Sequence, residues 1–306
     1  MSSAELIRLF VVCLLPPATV RAAETSPAGL PPPPEFAASK RLFDSWKAPV
    51  PPRRLVGNIH YVGAIGISSF LITTPAGHIL LDTGFDETVP LIQRGVEQLG
   101  FKVGDIKFIL GSHAHADHTG GHAAMQRLTG AQIVSSAADA QLLARGGADD
   151  YSPYPKELMS YPPAKADRIV REGEAISLGG VTLTAHLTPG HTRGATTWTM
   201  DVSDAATTRR VVFFSSISIV PSTSLVLRPA YPGIVDDYRA TLAKLKALPC
   251  DIWFSPLGGQ FAMMEKLARL ERGEQPSPFV DPAGWQKLLA AAEQDFLRQL
   301  ELEARR

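Results

Sequence analysis

The chain has 306 residues, of which 45% are hydrophobic and 20% are charged, with 30 basic side chains against 30 acidic ones. This composition is typical of a folded globular protein and excludes a disordered, collagenous or coiled-coil chain. Formal neutrality without a lysine- and arginine-rich run argues against nucleic acid or an anionic membrane surface as the main partner, because both require a concentrated positive field. We therefore expect a small-molecule substrate.

Residues 1–22 have the pattern of a secretory signal peptide. Arg8 precedes the apolar run 9–15, and small residues follow at Ala22 and Ala23. The run is shorter than the roughly 20 residues that a membrane-spanning helix needs, so we expect no membrane anchor after cleavage. The sequence predicts cleavage after Ala22 and a mature protein that is periplasmic or secreted.

The mature chain is predicted to begin with a proline-rich arm and to continue as one folded domain. Residues 23–54 are rich in proline and alanine, which predicts an extended arm on the surface, and the domain is expected over 55–306. Short apolar runs between turn residues predict strands at 59–62, 69–74, 79–81, 106–110, 132–135, 175–178, 181–186, 196–201 and 210–214. Helical spacing predicts helices at 89–99, 121–128, 137–144 and 235–248, and a last helix that begins at Asp281-Pro282. Hairpins mixed with helices indicate an α/β fold.

The strongest chemical signal is the run from His113 to His118, which reads His-Ala-His-Ala-Asp-His and directly follows a predicted strand. Three imidazoles and a carboxylate at this spacing predict a loop that binds zinc or a similar divalent ion. His191 lies in a turn after a later strand and is the candidate ligand from a distant segment. Asp82, at the end of the strand 79–81, is expected to orient a ligating histidine, with capping of the following turn as the alternative.

Together with Asp82-Thr83-Gly84 and Pro189-Gly190-His191-Thr192, this run resembles the metallo-β-lactamase superfamily. The stretches 46–49, 57–63, 69–83 and 214–218 are similar to subclass B3 metallo-β-lactamases in particular. The resemblance implies a four-layer αββα sandwich, in which helices flank two mixed β-sheets that carry two zinc sites at their edges. It also implies an exported enzyme of antibiotic resistance that opens the ring of β-lactams by attack of zinc-bound hydroxide.

Carried over by position, the first zinc site consists of His113, His115 and His191, and it is complete. The second site would use Asp117, His118 and a late histidine, but the position that matches this histidine is Leu257. Because leucine has no lone pair, we expect one tightly bound zinc ion and a second that is weak or absent, unless a neighbour such as Gln260, Ser216 or water fills the place.

The resemblance also implies roles for three polar side chains. Asp117, if the second site is empty, would orient the attacking water or accept its proton, which makes it the candidate catalytic residue. Ser216 and Ser218 match positions that bind the substrate carboxylate; polar alternation at a strand end is the alternative. His122 is expected to begin the next helix and point away from the metal region, and Arg193 is either a binder of that carboxylate or a solvated loop residue.

Two other functions remain open at this point. The same fold could hydrolyse a lactone or a thioester, because function resides in the site and one fold supports many reactions. Loss of the late histidine could also mark a catalytically weak zinc-binding protein.

Overall fold

The computed structural model describes residues 35–204, 207–220 and 222–305, and every structural statement below concerns these residues. The predicted signal peptide, 1–22, lies outside them.

Seven strands form the first sheet, in which strand order follows the chain. The first four strands are joined by tight turns and pair antiparallel, whereas the last three follow helices and pair parallel. These strands are β1 (Arg53–Val56), β2 (Ile59–Tyr61), β3 (Phe70–Thr74), β4 (Gly77–Leu81), β5 (Ile106–Leu110), β6 (Gln132–Ser136) and β7 (Arg168–Val170).

Five strands form the second sheet, in the order β12-β11-β10-β9-β8. Neighbours are antiparallel except for β11 and β12, which are parallel because a long helix returns the chain between them. The strands are β8 (Ala175–Leu178), β9 (Val181–Leu187), β10 (Thr196–Asp204), β11 (Thr207–Phe213) and β12 (Ile252–Phe254).

Nine α-helices accompany the two sheets in the described part of the chain. They are α1 (Phe36–Trp46), α2 (Val89–Gln98), α3 (Ala116–Thr119), α4 (His122–Thr129), α5 (Ala137–Ala144), α6 (Lys156–Met159), α7 (Ile234–Ala247), α8 (Met263–Glu271) and α9 (Pro282–Ala304). Three short 3₁₀ segments are Asp86–Thr88, Val103–Asp105 and Gly258–Phe261. The last helix begins as predicted, because the Asp281 side chain accepts a hydrogen bond from the backbone N–H of Gly284.

Strand alternation produces two apolar layers around the first sheet. On β4, Ile79 and Leu81 enter the core that the two sheets share, while Leu80 between them enters a second cluster with Ile92 and Val96 of α2. The core of the second sheet continues into α7 and α9. The molecule is therefore a layered αββα sandwich of two mixed sheets, as expected.

The segment before β1 differs from its prediction. An extended arm is expected over 23–54, but residues 36–46 form α1. This stretch contains no proline, and Ser39 and Phe43, one turn apart, are both buried. Because the flanking residues are rich in proline, the composition of the whole segment does not predict this short amphipathic helix. The helix α8 was likewise not among the predicted elements.

None of the described helices is both long enough and apolar enough to cross a membrane.

Candidate metal centre

The first ligand loop begins where β5 ends, at the edge of the sandwich. Asp82 N–H donates to Leu110 O, which joins the ends of the parallel strands β4 and β5. The carbonyl oxygen of Ser112 accepts hydrogen bonds from Thr196 N–H and from Ser215 Oγ, each 2.8 Å long. Because both donors belong to the second sheet or its extension, the loop is fixed between the two sheets.

The structure brings His113, His115 and His191 together. One ring nitrogen from each lies within 4.8 Å of the other two. His113 and His115 are buried and His191 is half-buried. These three histidines are the one group of three or more metal-ligating side chains found among the described residues.

The hydrogen bonds of these rings leave nitrogens free to bind a metal. The Nδ1 atom of His113 lies 3.2 Å from Ser112 Oγ, and its buried Nε2 has no hydrogen-bond partner. His191 donates from Nδ1 to Ser218 O over 2.7 Å, which leaves Nε2 of that ring available. A buried nitrogen without a partner is unfavourable in a closed protein, so this donor set fits a zinc ion.

Electrostatics at the site also suits a metal. Burial, reinforced by the surrounding imidazoles, lowers the pKa of His113 well below its usual value. Burial together with His115 likewise lowers the pKa of His191 to about 3. Both rings are therefore neutral at pH 7, which is the form that binds a metal.

Asp117 and His118 lie beside the three histidines but contact each other. Asp117 Oδ2 is 2.9 Å from His118 Nε2, and the His118 ring lies 4.3 Å from that of His113 between centroids. Burial acts to raise the pKa of Asp117, but the adjacent His118 outweighs it and lowers the pKa to about 2. The carboxylate is thus ionised at neutral pH.

Leu257 lies three residues after the end of β12, directly before the 3₁₀ segment Gly258–Phe261. It pairs with Ile67 across an isolated bridge and packs against the outer apolar cluster. Gln260, a candidate substitute ligand, uses its Oε1 to accept a hydrogen bond from Ser255 Oγ. Among the described residues, three metal-ligating side chains therefore converge at one position, and Asp117 and His118 beside them do not complete a second group of three.

Asp82 contacts the ligand loop through Ser112. Its carboxylate accepts the backbone N–H and the hydroxyl of Ser112, each over 2.7 Å, while His118 Nδ1 is 3.9 Å from Oδ2. Burial raises the pKa of Asp82 to about 6 against the opposing effect of His118. The main contact of Asp82 is thus to the residue before His113.

The two serines lie next to His191. Ser216 Oγ and Ser218 Oγ are 3.2 Å apart, and Ser218 Oγ is 3.3 Å from Nδ1 of His191. Arg193 stacks its guanidinium over the Tyr231 ring at 5.3 Å. His122 is the first residue of α4, as expected, its Nδ1 lies 2.8 Å from Thr83 Oγ1, and it does not belong to the converging group.

Sequence reasoning missed the residues that hold the two ligand loops together. Asp139 in α5 accepts from Ala114 N–H in the first loop, and from Thr192 Oγ1 and Gly194 N–H in the second. Tyr151 donates to the carbonyl oxygen of His191 over 2.6 Å, and Tyr161 donates to that of Ala114 over 2.7 Å. Asp150, also buried, lies beside His115. A single acid or tyrosine carries no spacing signal, so the sequence alone does not single out any of these residues.

Comparison with known proteins agrees with the fold. The structure is similar to that of BJP-1, a subclass B3 metallo-β-lactamase of Bradyrhizobium japonicum, with 42% identity and a TM-score of 0.79 over 85% of this chain and 97% of that one. It is also similar to native FEZ-1 metallo-β-lactamase from Legionella gormanii, with 36% identity and a TM-score of 0.82 over 84% of this chain and 98% of that one.

Among curated sequences, the lactamase-like protein vrtG of Penicillium aethiopicum is 26% identical over 200 residues, which are 65% of this chain and 53% of that protein. The chain thus spans about half the length of this relative. The family model of the metallo-beta-lactamase superfamily matches residues 62–255. This range contains both ligand loops, and the chain belongs to the metallo-beta-lactamase superfamily of hydrolases.

Proposed function

We propose that this protein is an exported zinc-dependent β-lactamase with one complete and one impaired zinc site. The observation that carries this proposal is the convergence of His113, His115 and His191 to within 4.8 Å, while Leu257 follows β12 without a ligand atom. The likeness to BJP-1 and FEZ-1, whose names identify them as metallo-β-lactamases, supports the choice of substrate.

His113, His115 and His191 would hold the zinc ion. When bound, zinc lowers the pKa of a water molecule from about 15.7 to about 7 and polarises a carbonyl group. His113 and His191 supply neutral rings, and the contacts of His113 with Ser112 and of His191 with Ser218 fix their orientation.

Asp117 would act as the proton acceptor. Without a second metal, its ionised carboxylate is free to orient a water and to accept a proton from it as the carbonyl carbon is attacked. His118 Nε2, 2.9 Å away, would hold the carboxylate in place. The proton can then pass to the ring nitrogen as the amide bond breaks.

Ser216 and Ser218 would bind the carboxylate that β-lactams carry beside the ring. Their hydroxyls lie 3.2 Å apart and border His191, so hydrogen bonds to one carboxylate would place the lactam next to the metal position. This contact sets the orientation of the substrate.

The decisive measurement is hydrolysis of a carbapenem and a cephalosporin by the purified mature protein across a zinc titration, with a chelator control. We expect turnover at trace zinc, one zinc ion per chain after dialysis, and loss of both in His191→Ala. Two tightly held zinc ions would contradict the impaired second site, and absence of turnover at every zinc level would overturn the β-lactamase proposal.

Leu257→His tests the second site directly. The new imidazole should raise the bound zinc from one to two ions per chain, because Asp117 and His118 then gain the missing third ligand. Leu257→Met, which conserves the volume of the side chain, serves as the control and should leave the count at one. A count of one in the histidine variant would mean that position 257 does not face the second site.

Substrate tests separate the proposed β-lactamase from the two alternative functions. A lactone or thioester hydrolase would open those compounds far faster than β-lactams under the same conditions, and a weak zinc-binding protein would turn over neither class while retaining the ion.

N-terminal sequencing of protein recovered from the periplasm or medium tests the predicted export and cleavage after Ala22.

A further inference from the structure

Two buried polar atoms without hydrogen-bond partners face each other beside the candidate metal centre. They are Nε2 of His115 and Oδ2 of Asp150, and they lie 3.3 Å apart. Both side chains are almost fully enclosed, with 6% and 1% of their surfaces exposed. An enclosed carboxylate oxygen without a donor is unfavourable, so the approach of the two atoms satisfies both of them once the ring carries its proton on Nε2.

The backbone before Asp150 is shaped to bring it there. Gly146 and Gly147 have φ values of +59° and +78°, in a region that side chains other than glycine rarely adopt. A Cβ atom at Gly146 would lie 2.2 Å from Tyr161 O, and one at Gly147 would lie 2.5 Å from Met159 O. The turn therefore packs tightly against the far end of its own loop, so that the chain is directed inward at Asp150.

The other polar atoms of Asp150 are already engaged. Its Oδ1 accepts the backbone N–H of Ser152 over 2.9 Å, and the ammonium of Lys156 binds its backbone oxygen rather than its carboxylate. Only Oδ2 remains, and it faces the imidazole. The neighbouring residue Asp149 is exposed instead and pairs with Arg145. The inward position is thus specific to one of two adjacent acids.

We propose that Asp150 is a positioning residue for the metal centre. By accepting the Nε2 proton of His115, it selects the ring tautomer in which Nδ1 carries the lone pair, and it holds that nitrogen toward His113 and His191. The inference rests on the proposed function only in that His115 binds the metal. A carboxylate behind a ligating imidazole also strengthens that ligand and keeps its orientation.

Zinc affinity tests the proposal independently of any substrate. Asp150→Asn keeps the shape but leaves one acceptor oxygen for two donors, and Asp150→Ala removes both acceptors. In competition with a chromophoric chelator, both variants should bind zinc about 10- to 100-fold more weakly. The matched control Asp149→Asn should change the zinc Kd less than twofold. Affinities within twofold of the unmodified protein for both Asp150 variants would overturn the proposal.

A second measurement needs no variant, so it holds even if substitution at Asp150 prevents folding. Nitrogen-15 NMR of the metal-free protein should show His115 protonated on Nε2, whereas a ring protonated on Nδ1 alone would overturn the proposal. Failure of β-lactam turnover would leave both outcomes interpretable, because neither the chelator competition nor the tautomer requires a substrate.

Discussion

Asp82 and Ser112 are joined by two hydrogen bonds of 2.7 Å, in which the carboxylate accepts both the backbone N–H and the hydroxyl of the serine. The two residues follow the neighbouring parallel strands β4 and β5. Asp82 has a positive φ of 59°, a conformation that turns its side chain across to the other strand. This pair fixes the backbone one residue before His113, where a small displacement would misplace a ligand nitrogen.

Asp82→Asn should weaken zinc binding about tenfold or more. Asparagine tolerates positive φ, so the backbone should keep its path, but its amide group offers a donor where Ser112 already donates twice. The zinc Kd from chelator competition measures the change. Asp201→Asn, at an exposed ion pair with Arg210, is the control. An unchanged Kd for Asp82→Asn would show that Ser112 holds its position without the carboxylate charge.

Gly194→Ala should destabilise the fold by about 1–3 kcal/mol. A Cβ atom at this position would lie 2.3 Å from Asp139 N and 2.5 Å from Asp139 Cγ, so the hydrogen bonds by which Asp139 joins the two ligand loops would be forced apart. Urea unfolding at a fixed zinc concentration provides the measurement. In Gly104→Ala the added Cβ meets nothing within 4 Å, so this control should stay within about 1 kcal/mol of the unmodified protein. Equal effects in the two variants would contradict a stabilising role for the contacts of Asp139 with the two ligand loops.

His122 should contribute to acid sensitivity. Burial lowers the pKa of this ring to about 3, while the unfolded chain takes up the proton near pH 6.5. The folded state therefore loses stability as pH falls from about 6.5 toward 3, by up to about 1.4 kcal/mol per pH unit for this group. His122→Asn can still bond Thr83 but does not titrate, so its stability should fall less steeply over that range.

Unfolding free energies measured by denaturant at several pH values decide this point. Thr83→Val removes the bonding partner but retains the titrating ring, so it should keep the steeper pH dependence. Parallel curves for His122→Asn and the unmodified protein would assign the acid sensitivity to other groups.

The elements that sequence could predict are those with local signals. The run from His113 to His118 is dense enough to predict a metal loop by itself, and Asp281-Pro282 marks a helix start from two adjacent residues. His191 followed because a strand and a turn placed it at a sheet edge. In each case the relevant information lies within a few positions along the chain.

The contacts that sequence could not predict join distant segments. Asp139 and Gly194 are 55 residues apart, and Asp150 and His115 belong to separate loops. Each acid resembles any surface acid until the fold encloses it, and its partner is often a backbone N–H, which every residue except proline possesses. Such support around a ligand depends on tertiary packing and needs a structure.

Glu303 shows the same dependence at the far end of the chain. Its side chain is buried near the end of α9, and its carboxylate accepts the backbone N–H groups of Leu225, Val226 and Leu227 as well as Ser224 Oγ. Burial acts to raise its pKa, but these donors outweigh burial and lower the pKa from 4.5 to about 2. The loop that continues from Ser218 is thus attached to the last helix.

Glu303→Gln should lower stability at pH 7 by about 2–3 kcal/mol, because an amide group would set its own donor against the converging N–H groups. The depressed pKa means that the carboxylate's contribution is complete above about pH 4.5 and is lost as pH falls toward 2. The difference between variant and unmodified protein should therefore shrink on acidification. Amide exchange at 225–227 should also accelerate at neutral pH. Glu301→Gln, on an exposed part of the same helix, should change stability by less than about 0.5 kcal/mol; a comparable loss there would assign the effect to the helix rather than to the loop contact.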